Sequence, residues 1–162
     1  GDAKLDALLV AMLNYGAAAQ LYFGYNTGNL LNSGSITFRN NVELADDATI
    51  NTAAGTVTYD SVLAQNIIAT EYGSLQLAGT GDKNFFNGGY TIHDLILIAN
   101  TMNLIGTGKT VLTQTAAKQV FNVASGVSAN ISGMAIVGGT GTNGGAILPN
   151  AVYEGYTVGN QI

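Results

Sequence analysis

Leu75-Gln76-Leu77-Ala78-Gly79-Thr80-Gly81 is the first of three similar phrases in this chain of 162 residues. The second is Met102-Asn103-Leu104-Ile105-Gly106-Thr107-Gly108 and the third is Ala135-Ile136-Val137-Gly138-Gly139-Thr140-Gly141, so the copies start 27 and 33 residues apart. Each copy predicts a short strand that runs into a glycine-containing turn. Repetition at this spacing is typical of one supersecondary unit stacked on itself, because a single unit cannot bury its apolar face.

The composition favours many short strands over disorder. Charged residues make up 9% of the chain, against about 25% in ordinary soluble domains. Apolar residues make up 47%, and the chain has 22 glycines but a single proline. Disorder needs low hydrophobicity and high charge, whereas short apolar runs between glycine turns are typical of an all-β protein.

The same composition limits partners and location. The net charge is −5 and the five basic residues form no stripe, so we expect no nucleic-acid partner. The absence of cysteine excludes disulfides and thiolate metal sites. No apolar run is long enough for a transmembrane segment. A cysteine-free, weakly charged chain rich in Asn, Thr and Gly favours a secreted bacterial protein, extracellular or on the cell surface.

Residues 1–23 predict the one helix of the chain. Its apolar stripe has helical spacing, and we interpret the helix either as a cap over one end of a β-stack or as an assembly element that docks on a neighbouring copy. Three tyrosines near the chain ends join that stripe as a candidate assembly interface, since Tyr is enriched in interfaces. The interface residues are Leu5, Leu8, Leu9, Met12, Leu13, Tyr22, Tyr153 and Tyr156.

From residue 35 onward the chain predicts strands. They are residues 35–38, 42–44, 48–50, 56–59, 67–70, 74–77, 90–92, 95–98, 102–105, 110–113, 120–123, 127–131, 134–137, 146–148 and 156–158. Three strands per coil give about two dozen residues a coil and roughly five coils, consistent with a parallel β-helix. A β-sandwich is the alternative. We therefore predict a helix and connector over residues 1–34, and a β-solenoid domain with a C-terminal tail over residues 35–162.

Two stretches resemble known families. The stretch from Val120-Phe121-Asn122-Val123 through Ile131-Ser132-Gly133-Met134 to Gly144-Gly145-Ala146-Ile147 resembles the coils of right-handed, pectate-lyase-like parallel β-helix proteins, as in bacterial surface adhesins. Residues 11–27 are similar to a helix motif of large secreted bacterial surface proteins, some of them associated with carbohydrate-degrading assemblies. The resemblances imply a right-handed β-helix outside a bacterial cell, and they carry little information on activity.

No catalytic constellation stands out. His93 and Asp94 are neighbours on a predicted strand and would point to opposite faces, so we expect a surface histidine. The Gly106–Lys109 segment fails the phosphate-loop pattern because Asn103 stands where its first glycine belongs. By analogy, Lys83 is expected to decorate a turn. Asp46, Asp47 and Asp82 are expected in turns, with a calcium site as the alternative.

These observations predict a non-catalytic structural or adhesive protein with no cofactor, whose partners are further copies of itself or a cell-surface carbohydrate. A self-assembling filament subunit, joined by strand edges and the N-terminal helix, is one form of this role. The alternatives are a pectate-lyase-like enzyme acting on polysaccharides and a carbohydrate-binding module. The binding module predicts exposed tyrosines along a groove.

Overall fold

The computed structural model describes residues 21–23, 29–31, 34–44, 49–140 and 147–148. All twelve strand pairings among these residues are parallel. This confirms the predicted β-solenoid, and the β-sandwich alternative, which has antiparallel sheets, is wrong. The strands are β1 (Leu21–Phe23), β2 (Asn29–Leu31), β3 (Ser35–Phe38), β4 (Val42–Leu44), β5 (Thr49–Asp60), β6 (Gln65–Ile67), β7 (Glu71–Ala78), β8 (Lys83–Phe85), β9 (Gly88–Ile92), β10 (Ile96–Ile98), β11 (Met102–Gln114), β12 (Phe121–Val123), β13 (Ala129–Gly138) and β14 (Ile147–Leu148).

Three faces stack along the solenoid axis. On face 1, six strands pair through one register column, whose members are Ile36, Val57, Leu75, Ile96, Phe121 and Ile147. The five steps of this column span 18 to 26 residues each, in agreement with the predicted number and length of the coils. Face 1 therefore gives the solenoid its continuous wall.

The other two faces are built by shorter strands and by the ends of long ones. Face 2 contains β6, β8, residues 102–106 of β11 and residues 129–132 of β13. Face 3 contains β2, β9 and the segments of β5, β7, β11 and β13 that pair with them or with each other. β1 and β4 form a separate parallel pair. The long strands β5, β7, β11 and β13 thus bend round corners and contribute to two faces each.

The core lies inside the three faces. Inward and outward residues alternate on the short strands, as in β10, where Ile96 and Ile98 are buried and Leu97 is half-buried. A second column on face 1 is completely buried because each member packs over its register partner in the next coil. Its members are Phe38, Tyr59, Leu77, Ile98 and Val123. Stacked inward side chains supply the hydrophobic stabilisation.

The three similar phrases of the sequence lie on three different faces. Leu75 pairs with Ile96 on face 1, Met102 pairs with Ala129 on face 2, and Ala135 pairs with Val111 on face 3. The prediction that the phrases stack on each other is therefore wrong. What they share is a strand that ends at a corner with a glycine of positive φ, namely Gly79 (68°), Gly108 (65°) and Gly138 (79°).

Some corner glycines allow backbones of successive coils to touch. A Cβ on Gly106 would lie 2.4 Å from the carbonyl oxygen of Gly133, and a Cβ on Gly133 would lie 2.1 Å from that of Gly106. The pair marks the place where β11 and β13 turn together from face 2 to face 3. Only glycine fits at such a backbone contact.

The start of the solenoid lies upstream of residue 35. Residues 21–23, predicted as the last turn of the helix, form β1 instead, and that part of the helix prediction is wrong. Residues 1–20 of the predicted helix and the predicted strand 156–158 lie outside the described residues. Within the described part, no helix has the length and apolar character needed to cross a membrane.

We expect three glycine-to-alanine variants to separate corner strain from corner crowding. Gly79 has φ +68°, and a Cβ there would lie 2.2 Å from the Ser61 carbonyl oxygen. Gly126 has φ +77° with open space, and Gly89 has neither strain nor a neighbour within 4 Å. Gly79→Ala should lower the free energy of unfolding by more than ~2 kcal/mol, Gly126→Ala by about 1 kcal/mol, and Gly89→Ala by almost nothing.

Urea titration of the three variants measures these differences. Equal losses at Gly79 and Gly126 would show that the contact with Ser61 does not constrain the corner.

Candidate functional site

A buried polar pair occupies the inside of face 2. Gln65 and Lys83 are register partners and neither side chain is exposed. The Lys83 ammonium donates to Gln65 Oε1 at 3.1 Å and to the Ser61 carbonyl at 3.3 Å. Gln65 Nε2 donates in turn to the carbonyl oxygens of Phe38 at 3.0 Å and Asn40 at 3.1 Å. The prediction that Lys83 decorates a turn is wrong, because Lys83 begins β8 and joins three coils inside the core.

Burial lowers the pKa of Lys83 from its ordinary value of 10.5 to about 8, although the negative charges of Asp60 and Asp82 act in the opposite direction. The amine is thus easier to deprotonate than a surface lysine. It is also closed off from solvent, so its chemical consequence is a pH-dependent stability rather than a reactive nucleophile.

The pH dependence of stability should show this lysine directly. Between pH 8 and pH 10 the unfolded chain keeps its lysine protonated while the folded chain loses the Lys83 proton, so the free energy of unfolding should rise by about 2 kcal/mol. Above about pH 10 it should fall again, because burial raises the pKa of Tyr59 and Tyr90 to about 12 and the unfolded tyrosines ionise first.

Urea titrations from pH 7 to pH 11 test this. Lys83→Met should lose the rising limb and keep the falling limb, and Lys109→Met, a change of an exposed lysine, should keep both. A rising limb that survives in Lys83→Met would contradict the assignment.

Three tyrosines form a second buried polar cluster. Tyr59, Tyr72 and Tyr90 are not exposed at all. The hydroxyl of Tyr59 lies 3.1 Å from that of Tyr72, and Tyr72 donates to the Ile68 carbonyl at 2.6 Å. Tyr90 donates to the Ile67 carbonyl at 3.1 Å. These tyrosines hold the corner between faces 2 and 3, and the expectation of a tyrosine platform for sugars is wrong for them.

His93 connects three coils on the outer surface. Its Nε2 lies 3.3 Å from Glu71 Oε2, and its Nδ1 lies 2.9 Å from Thr115 Oγ1. The Thr115 hydroxyl also donates to the Ile92 carbonyl at 3.2 Å, so Nδ1 is the donor towards Thr115. A hydroxyl whose proton is committed to a backbone carbonyl is not activated by the imidazole. The arrangement links coils and has no activated nucleophile.

Asp94 makes the parallel connection. It accepts from Ser74 Oγ at 2.9 Å and from the Lys118 ammonium. The Lys118 hydrogen bond lowers the pKa of Asp94, and Ser74 adds to this effect. His93 and Asp94 thus have different partners, as their positions on opposite sides of the strand predicted.

A ladder of polar side chains follows the outside of face 2. Asn84 Nδ2 donates to Asn66 Oδ1 at 3.3 Å, and Asn103 Nδ2 donates to Asp82 Oδ1 at 2.8 Å. Asn130 is the register partner of Asn103 in the next coil. The sequence signal was available, since each of these residues precedes or follows an inward residue of face 2, but it was not recognised.

The ladder borders an open groove of about 450 Å³. The floor contains Met102 and Ala129, which are 4% and 3% exposed. The rim contains Thr80, Asp82, Asn103 and Asn130, all polar. Thr101 Oγ1 accepts from the Ser128 backbone N–H at 3.1 Å and fixes the rim between two coils. An apolar floor with polar edges is the usual chemistry of a small-molecule site.

The remaining predicted site residues fall into two groups. Tyr22 lies on β1, and Asp82 lies at the groove, where it is bound by Asn103. Asp46, Asp47 and the other candidate interface residues lie outside the described ranges: Leu5, Leu8, Leu9, Met12, Leu13, Tyr153 and Tyr156. Within the described residues, no group of three or more histidine or acidic side chains is placed to hold a metal ion.

Comparison with protein-family models, with curated proteins and with solved structures gives no match for this chain. The pectate-lyase-like and adhesin resemblances therefore stay predictions, and the function has to be argued from the geometry.

Proposed function

We propose that this chain is a non-catalytic structural and adhesive protein of the bacterial cell surface that assembles end to end. The observation that carries the proposal is the second edge of β13. β13 pairs with β11 along one edge and with no other strand of the described ranges. An unpaired edge of ten residues presents backbone donors and acceptors that a further strand satisfies.

The opposite end of the solenoid has matching geometry. β1 and β2 each pair on one side only within the described residues, and both of their pairings are parallel. A parallel edge at each end allows one copy to continue the register of the next. Such a head-to-tail contact does not close on itself and generates a filament. The low charge of the chain, 9% of residues, offers little repulsion against it.

The outer surface supports a structural role more than a catalytic one. The polar side chains of the Glu71–His93–Thr115 and Ser74–Asp94–Lys118 connections pair with each other across coils. Groups held in this way stiffen the solenoid, and an acid, base or nucleophile needs freedom to transfer protons to a substrate. The competing hypothesis of a polysaccharide-active enzyme is tested by a turnover assay on acidic polysaccharides, where product formation would refute the proposal.

Two valine-to-lysine variants test the assembly. Val137 lies on β13 and is 41% exposed, whereas Val62 lies in the loop before β6 and is 75% exposed. Lysine on an edge strand opposes strand addition, because pairing would desolvate its charge. We expect the unmodified chain and Val62→Lys to form long polymers in negative-stain micrographs, and Val137→Lys to sediment as smaller species.

A strictly monomeric sedimentation profile of the unmodified chain at high concentration would overturn the assembly. Polymers of Val137→Lys equal to those of Val62→Lys would show that the β13 edge is not the contact.

A further inference from the structure

The groove beside the face 2 ladder combines three features that point to one ligand chemistry. Its floor is apolar, formed by Met102 and Ala129. Its rim is made of hydroxyl, amide and carboxylate groups. It extends over three successive coils, since Met102 pairs with Ala129 and Asn103 donates to Asp82 of the preceding coil.

The hydrogen-bonding capacity of the rim is partly free. Asn103 uses Nδ2 on Asp82, which leaves its Oδ1 as an acceptor. Within the described part of the chain, the exposed Asn130 amide makes no side-chain hydrogen bond. An amide offers both donors and acceptors, and a hydroxyl group of a ligand does the same. Adjacent coils lie about 4.8 Å apart, so the rim repeats such groups along the axis.

The charge of the groove decides between ligand classes. Asp82 is the one ionised side chain in the lining, and the whole chain carries a net charge of −5. Lys83, the nearest cation in sequence, points into the core and is not exposed. A polyanion would therefore meet repulsion with no cation to compensate it. The single carboxylate is already engaged by Asn103, which gives a polycation little to bind.

From these features we infer that the groove binds a neutral, linear saccharide, with the carbon face of the sugar rings on Met102 and Ala129 and the ring hydroxyls on Asn103, Asn130 and Asp82. This inference rests on the proposed adhesive function and names the surface chemistry that the protein adheres to. It differs from the acidic polysaccharides that the sequence resemblance would suggest.

Titration calorimetry on the full chain tests the inference with four probes: neutral hexasaccharides of glucose and of mannose, an oligogalacturonate of the same length, and spermine. We expect binding of a neutral hexasaccharide and none of the other two classes. Asn103→Ala and Asn130→Ala should each weaken it by about tenfold, the loss expected for one hydrogen bond. Asn122→Ala, which removes a half-buried amide from face 1 outside the groove, should leave the affinity unchanged.

Each other outcome overturns the inference. Binding of oligogalacturonate or spermine in preference to the neutral sugars, absence of any neutral-sugar binding, or an equal effect of Asn103→Ala and Asn122→Ala would do so. The polymers seen by microscopy report on the proposed function separately, because the groove residues lie on the outside of face 2 and not on the edge of β13 mutated at Val137. Release of shortened sugars during the titration would refute the non-catalytic function itself.

Discussion

Close contact between the backbones of successive coils is the constraint on which the rest of this structure depends. At the Gly106–Gly133 corner neither residue has room for a Cβ, and the parallel strands on both sides of the corner lie about 4.8 Å apart. Coils held at that spacing must place like positions over like positions. Each inward residue therefore packs on its register partner, and the core becomes a set of columns rather than a cluster of scattered contacts.

The same constraint explains the polar groups inside the solenoid. A column cannot skip a coil, so a polar residue at an inward position has to find its partners in the coil above or below. Lys83 and Gln65 do so by bonding to each other and to backbone carbonyls, and Tyr72 and Tyr90 reach the backbone of the neighbouring corner. No buried side-chain nitrogen or oxygen within the described residues lacks a partner. The cost of burying these groups is thereby largely offset.

Much of the fold was predictable from local patterns, and the register between coils was not. The short strand Ser35–Phe38 was predicted at its observed bounds, because alternation and flanking turns are local signals. β8 was missed because the inward Lys83 breaks the apolar alternation. The three similar phrases misled the stacking prediction, since they encode a strand running into a left-handed corner, and coils of 18 to 26 residues carry that element to different faces. The groove was out of reach for the same reason, because Asp82, Asn103 and Asn130 meet only once the register is known.

The division between inside and outside places function on the outer faces and the ends. The interior is filled by stacked columns, so the described part of the chain offers a ligand its surface rather than a central cavity. On that surface, face 3 carries the connections of His93 and Asp94, whereas face 2 carries the ladder and an Asn130 amide free to bind. Side chains that already bond across coils resist rearrangement, and an unpartnered amide beside an apolar floor loses little when a hydroxyl replaces water. Recognition on face 2 and assembly through the β13 edge therefore use separate parts of the solenoid, and one does not obstruct the other.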